Sequence, residues 1–237
     1  MQRFFLENCK FNNSFILDDK ELVHQIGVVL RSRIGDYFIF FDGVNSVDKI
    51  YRLSLISKNA LEFKFVEDVE KDVEKGSMNL FQAIPNKLEK LEYIVQKGTE
   101  IGYNKFIFFR GERSQKLDLQ GKRQERLKKI IIESTEQSGR NIVPELYFMD
   151  KLDFGLLDKK ETLFFHTNNE NSKKLNDIKT GRNINLLIGP EGGWSDIELA
   201  KFEELGFEKV FLGNNILRCE TVSSVVGFYI FQNKISK

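Results

Sequence analysis

Hydrophobic and polar positions follow one pattern before Met78 and another after it. Residues 3–6 (RFFL), 38–41 (FIFF), 51–56 (YRLSLI) and 61–66 (LEFKFV) have strand composition, and the last two alternate polar and apolar positions. Gly35-Asp36 and Asp42-Gly43 mark turns, and one helical patch, residues 22–31, interrupts the strands. Short strands with frequent turns predict a small β barrel. Residues 67–76 (EDVEKDVEKG) carry five acids and two lysines; they read as a hinge between domains or as an exposed strand end.

From Met78 strands and helices alternate. Strands are predicted at 79–84, 105–109, 162–165, 184–188 and 209–212. Helices are predicted over 88–101, with Leu88, Leu91, Ile94, Val95 and Ile101 at helical spacing, over 122–138 with Leu127, Ile130 and Ile131 inward, and over 196–205 and 221–232. Nearly continuous apolar strands between helices predict a parallel sheet covered on both faces. The expected architecture is a small β domain, residues 1–72, followed by an α/β domain, residues 73–237.

Composition narrows the function classes. The 237 residues are 41% hydrophobic and 30% charged, ordinary values for a globular protein of one large or two modest domains. Lys+Arg at 36 against Asp+Glu at 35 gives a net charge of +1, so a polyanion would be met by local patches, not by bulk charge. Two cysteines, Cys9 and Cys219, make no disulfide framework and point to a reducing compartment. Residues 1–7 lack the apolar run of a signal peptide, and the apolar stretch 225–231 is less than half a membrane span. Secreted, membrane-spanning and disordered classes are set aside, and a cytoplasmic protein is expected.

Ligands of open α/β sheets bind beyond the carboxyl ends of the strands, and two such ends are unusual here. Leu187-Ile188-Gly189-Pro190-Glu191-Gly192-Gly193-Trp194 joins a buried strand to a helix announced by Ser195-Asp196-Ile197-Glu198, a capping-box pattern. Three glycines and a proline exceed what a tight connection needs, and they favour a ligand loop with Glu191 held on it. Trp194 is expected to pack under this loop. The second end, Leu212-Gly213-Asn214-Asn215-Ile216-Leu217-Arg218-Cys219-Glu220-Thr221, sets an apolar pair beside polar groups; alone it reads equally well as a helix start with a local ion pair. Neither G-x-x-x-x-G-K-[ST] nor an early G-x-G-x-x-G is present. His24 and His166 stand apart, without metal-ligand spacing, so no metal is expected. Cys219 reads as an inert small residue. Nine basic residues, including Arg113, Arg123, Arg126 and Arg140, fall with five acids in residues 110–140, a local net of +4 suited to phosphate contact.

Together, residues 96–102 (QKGTEIG), 112–114 (ERS), 136–140 (EQSGR), 188–193 (IGPEGG) and 212–221 (LGNNILRCET) resemble the ribosomal RNA small subunit methyltransferase E family. Arg3-Phe4-Phe5 and residues 24–31 (HQIGVVLR) are similar to that family's small domain, so the resemblance covers nearly the whole chain. It implies an α+β two-domain protein: an N-terminal PUA-like β-barrel that binds RNA, then an α/β SPOUT domain whose C-terminal segment forms a trefoil knot, an exception to the rule against threading. It further implies a homodimer that uses S-adenosylmethionine to methylate ring nitrogen 3 of a uridine in 16S rRNA. On this likeness the cofactor is held by Leu187, Ile188, Gly189, Pro190, Glu191, Gly192, Gly193, Leu212, Gly213, Asn214, Ile216, Leu217 and Arg218. Arg218 would stabilise charge on the base, and Glu220 or Glu191 would take the proton. Arg113, Arg123, Arg126 and Arg140, with Arg3 and Arg31 on the small domain, would grip RNA. Cys219 stands where the family usually has Thr, and Val222 where Ala is common, so position 219 offers no hydroxyl. The rival classes are a non-catalytic RNA-binding or ribosome-assembly factor, which would lack cofactor binding, and a SPOUT methyltransferase of another RNA.

Overall fold

The computed structural model describes residues 1–7, 9, 11–72, 76–179 and 181–235. The chain divides into two compact units, Met1–Val73 with Thr135–Val143, and Glu74–Ser134 with Pro144–Lys237.

The first unit contains β1 (Gln2–Phe5), β2 (Ser14–Leu17), α1 (Lys20–His24, continued by a π-helical turn, Gln25–Val29), β3 (Tyr37–Phe41), β4 (Val47–Ile56) and β5 (Leu61–Glu70). The sheet order is β1-β3-β4-β5-β2, parallel between β1 and β3 and antiparallel elsewhere. Asp19 caps α1 by accepting the Leu22 N–H, and this starts the helix two residues before the predicted patch. Phe4 from β1, Leu17 from β2, Ile26, Phe40 from β3, Tyr51 from β4 and Phe63 from β5 share one core cluster, so both edge strands feed the same interior. β2 escaped the hydrophobic pattern because it is short and follows Asn12-Asn13, which reads as a turn. In the acidic segment, residues 67–70 are the exposed end of β5, and residues 73–75 of the expected hinge lie outside the described residues.

The second unit contains β6 (Ser77–Ala83), α2 (Leu88–Ile101), β7 (Lys105–Phe109), α3 (Lys122–Ser138) as far as Ser134, β8 (Glu145–Met149), β9 (Thr162–Phe165), β10 (Lys173–Lys174), β11 (Asn183–Ile188), α4 (Asp196–Leu205), β12 (Glu208–Phe211) and α5 (Cys219–Ile230). Its seven strands run β10-β12-β9-β11-β6-β7-β8, and every pair is parallel. Both faces are covered. Phe81, Ile107, Phe109, Phe164 and Leu187 pack with Trp194 and Phe202 of α4. On the other face α2 buries Leu91, Ile94, Val95, Gly98 and Thr99 in one stripe and packs against α5. The Tyr103 hydroxyl donates to the Ser223 carbonyl at 2.7 Å, tying the segment that leaves α2 to α5. The capping box at Ser195–Glu198 forms in both directions, Glu198 N–H to Ser195 Oγ and Ser195 N–H to Glu198 Oε2. Among the described residues no helix is long and apolar enough to cross a membrane.

Candidate active site

Three neighbouring strands, β12, β9 and β11, end side by side, and the segments leaving them enclose a cavity of about 360 Å³. β9 contributes Phe165, His166 and Thr167; β11 is followed by residues 188–194; β12 is followed by residues 212–218, with Cys219 and Val222 from the first turn of α5; Arg113 arrives from beyond β7. The cavity lies at the carboxyl ends of a parallel sheet, where its loops are free to vary.

The loop after β11 is built from below. Trp194 is 2% exposed, donates its indole N–H to the Phe165 carbonyl at 3.0 Å, stacks on Phe109 and meets Phe202 edge-on. Gly189 crosses directly over that indole: a Cβ there would lie 3.1 Å from Trp194 Cε2, a contact the buried indole would have to yield to by a few tenths of an ångström, so the close approach favours glycine. Glu191 is fixed by the Lys90 ammonium and by the Asn86 N–H at 3.1 Å. Burial alone would raise its carboxyl, but these hydrogen bonds and the Lys90 charge bring it below the usual glutamate value. The loop after β12 is different. Residues 213–218 are all exposed, Ile216 at 82%, and Gly213 takes a φ of +128°, a backbone conformation that excludes a side chain of ordinary bulk.

Most of the residues expected to hold cofactor meet in this cavity: Ile188, Gly189, Pro190, Glu191, Gly192, Gly193, Leu212, Gly213, Ile216, Leu217 and Arg218 line it. Leu187 does not. Strand alternation turns it to the opposite side of β11, into the core with Phe81, Phe164 and Trp194. Asn214 is exposed on its loop and stays out of the lining. Sequence reasoning missed Phe165, His166, Thr167 and Asn215 as lining, and it assigned Arg113 to RNA alone. His166 follows a strand with no glycine or motif beside it, so only the strand order could reveal it. Burial and the Lys209 charge lower its basicity, while its Nδ1 accepts the Asn168 N–H at 2.9 Å.

The polar groups around α5 sort differently from the expectation. Arg218 is exposed at the N-terminus of α5, where its carbonyl accepts the Thr221 and Val222 N–H groups. Glu220 lies outside the lining and accepts the Cys219 thiol at 3.3 Å. Burial, then that bond to Glu220 and the Glu191 and Glu220 charges, push the Cys219 thiol up to about 12, so it is a protonated donor and no nucleophile. Glu191, engaged by two donors, is a correspondingly weak base.

Among the arginines, Arg113 lies across the β11 loop, with Nη1 3.4 Å from the Gly192 carbonyl. Arg123 is exposed and holds the Asp118 carbonyl. Arg126 is exposed but paired in two-pronged fashion with Glu92. Arg31 is exposed, with a left-handed backbone, φ 52°. Arg3 is a correction. Its guanidinium is ion-paired with Asp48, itself 2% exposed, donates to the Arg140 carbonyl at 2.9 Å and lies over the Phe41 ring. Asn141 Nδ2 donates to Asp48 at 2.7 Å, and Lys71 Nζ lies 3.4 Å from the same carboxylate. Arg3 therefore neutralises a buried carboxylate and holds the carbonyl of Arg140, instead of facing RNA. Among the described residues no group of three His, Cys, Asp or Glu side chains is arranged to hold a metal ion.

Comparison with known proteins bears on this site. The family profile of the RNA methyltransferase domain matches residues 73–229. The ribosomal RNA small subunit methyltransferase E of Bacillus subtilis is 32% identical, over 93% of this chain and 92% of that protein. Its namesake in Mesomycoplasma hyopneumoniae is 29% identical, over 94% and 96%. The crystal structure of a ribosomal RNA small subunit methyltransferase E from Neisseria gonorrhoeae, bound to S-adenosyl methionine, superposes with a TM-score of 0.85 at 30% identity, covering 98% of this chain and 97% of that one.

Proposed function

The chain belongs to the ribosomal RNA small subunit methyltransferase E family, and from that premise we propose that it methylates ring nitrogen 3 of one uridine in 16S rRNA, with S-adenosylmethionine bound between its two glycine loops. It is an S-adenosylmethionine-dependent methyltransferase of small-subunit rRNA. The observation that carries the detailed reading is the cavity at the ends of β9, β11 and β12, lined by both loops.

The residues present fit the cofactor. The volume of about 360 Å³ suits a small molecule, Ile188, Leu217 and Val222 supply apolar wall, and Gly193 and Gly213, where an added Cβ would meet no atom within 4 Å, leave main chain bare beside open space. When bound, S-adenosylmethionine supplies a methyl group already activated on a sulfonium. The chain's own part is alignment and charge. Uracil nitrogen 3 carries a proton about as acidic as that of Tyr, with a pKa of about 10, and that proton must leave as the new N–C bond forms. Arg218, at the positive end of α5, is suited to the negative charge that develops on the ring oxygens. Glu191 is taken by Lys90 and Asn86, so Glu220, acting through water, is the carboxylate we assign to receive the proton.

Arg113, Arg123 and Arg31 are exposed and suited to phosphate; Arg140 is assigned the same role, and Arg126 is a weaker member because Glu92 shares its charge. The first unit is read as a PUA-like barrel, supported by the single core that both of its edge strands feed. The C-terminal segment is read as a trefoil knot, supported by α5 returning from β12 to pack on α2 and β11. Val225 and Phe228, three residues apart on α5 and 50% and 58% exposed, present an apolar face suited to a second copy, in a cytoplasmic homodimer.

Transfer of labelled methyl to unmodified 30S subunits, with naked 16S rRNA and tRNA in parallel, tests this. Label recovered as 3-methyluridine in small-subunit RNA is the expected result. Label in tRNA, or in another base, overturns the substrate; cofactor binding without any transfer points to another RNA; and failure of both leaves a non-catalytic RNA-binding factor.

A further inference from the structure

The loop after β11 receives three separate supports from the segment that runs from the end of β6 into the first turn of α2, at residues spaced four apart. Parallel register sets Gln82 beside Ile188. Gln82 is fully buried, and its Nε2 faces three carbonyls, Ala83 at 2.8 Å, Gly189 at 3.2 Å and Ile188 at 3.4 Å. Carbonyls on every side admit only the donor end of the amide there, which sets its orientation and leaves Oε1 buried without a partner. Four residues on, the Asn86 N–H donates to Glu191 Oε1; four further, in the first turn of α2, Lys90 Nζ reaches the same oxygen. The Lys90 side chain is only 18% exposed, so this pairing is better shielded than a surface ion pair.

We propose that Gln82, Asn86 and Lys90 are positioning residues that set the cofactor loop, and that Glu191 is the strut through which Lys90 acts and not the proton acceptor. The inference rests on the pocket's being the S-adenosylmethionine site. Its physical basis is that a glycine-rich loop has no side-chain packing of its own to choose a conformation. Trp194 supports it from beneath, and these three residues hold it from the β6 side, at the carbonyls of Ile188 and Gly189 and at the one charged side chain of the loop. The depressed Glu191 carboxyl agrees with a permanent anion, held by its neighbours, more than with a group that exchanges protons during turnover.

The test uses the full chain, with S-adenosylmethionine binding measured by calorimetry, initial rates on unmodified 30S subunits, and thermal melting. Lys90→Met is expected to raise Kd and KM for S-adenosylmethionine about fivefold, the scale of one semi-shielded ion pair, with kcat within about twofold of wild type. Lys90→Arg is expected to recover most of the affinity. Glu191→Gln keeps an acceptor for Asn86 but drops the charge that pairs with Lys90, and is expected to raise Kd and KM for S-adenosylmethionine about as much as Lys90→Met does. A Lys90→Met/Glu191→Ala double variant is expected to bind no worse than Glu191→Ala alone, because both changes break the same ion pair. An unchanged KM in Lys90→Met, additive losses in the double variant, or a fall in melting temperature without a change in affinity would each overturn the positioning role. A loss of about a hundredfold or more in kcat for Glu191→Gln would make Glu191 the proton acceptor. Absence of S-adenosylmethionine binding by the wild-type chain would instead refute the reading of the pocket.

Discussion

The two loops that face each other across the cavity share a taste for glycine and little else. The loop after β11 stands on a buried tryptophan, runs into a complete capping box, and is held through its carbonyls and its one carboxylate. The loop after β12 is exposed over residues 213–218. One wall of the site is therefore braced by the fold, and the other presents the exposed side chains of Ile216, Leu217 and Arg218. Substitutions in the first loop should register in stability and shape, and those in the second in turnover and affinity.

The largest expected effect is on the built wall. Trp194→Ala removes a buried indole and its hydrogen bond and should cost about 3–5 kcal/mol in urea denaturation; a loss under about 1 kcal/mol would mean that the loop does not depend on this foundation. On the presenting wall, Arg218→Ala should lower kcat on 30S subunits by about 10²–10³ while S-adenosylmethionine affinity changes by less than about threefold. Equal loss of both would return Arg218 to ground-state binding, and a destabilised fold would erase the contrast between the loops.

Smaller effects sharpen the comparison. Reversing Arg113 and Arg123 to Glu should weaken RNA binding and flatten its dependence on salt by about one in the log–log slope for each phosphate no longer neutralised. An unchanged slope would leave these arginines as solvated surface. Ile216→Ala should leave stability within about 0.5 kcal/mol, since Ile216 is 82% exposed, and should raise KM for cofactor a few-fold. The smallest effect is pH-dependent. Because the folded state lowers the Glu191 pKa below its ordinary 4.5, the strut is fully formed above that value and is lost as pH falls through the lowered one. The stability that Lys90 confers, measured as the difference in melting temperature between wild type and Lys90→Met, should be constant from pH 8 to about 6 and shrink only on the acid side of about 4.5. A difference that fades near neutrality would contradict the pairing.

Local signals carried much of the architecture. The spacing of Leu91, Ile94 and Val95 and the box at Ser195–Glu198 mark α2 and α4, and the apolar run at 105–109 is β7. β8 was missed although Leu146-Tyr147-Phe148-Met149 is an apolar run, because a run of four without alternation does not tell a strand from other apolar segments, and in the fold it is an edge strand with no residue fully buried. The ends of the chain's predicted helices moved little, α5 starting at Cys219 instead of Thr221.

The site divides along the same line. Sequence alone identified the glycine-rich loop after β11, since a bare backbone beside a buried strand end is a local property, and it identified Trp194 as a packing residue; the loop after β12, with Gly213 as its one glycine, was assigned through the family likeness. Strand order decided which residues join them. β9 is inserted between β11 and β12, which brings His166 and Thr167 to the cavity, and β6 lies beside β11, which brings Gln82 under Gly189. Tertiary structure also spent charges that look free in the chain: Arg3 on Asp48, Glu191 on Lys90, Arg126 on Glu92. Periodicity and turn chemistry act over a few residues and are written into the chain. The partner of a charge or a carbonyl more than thirty residues away is set by topology, and only folding reveals it.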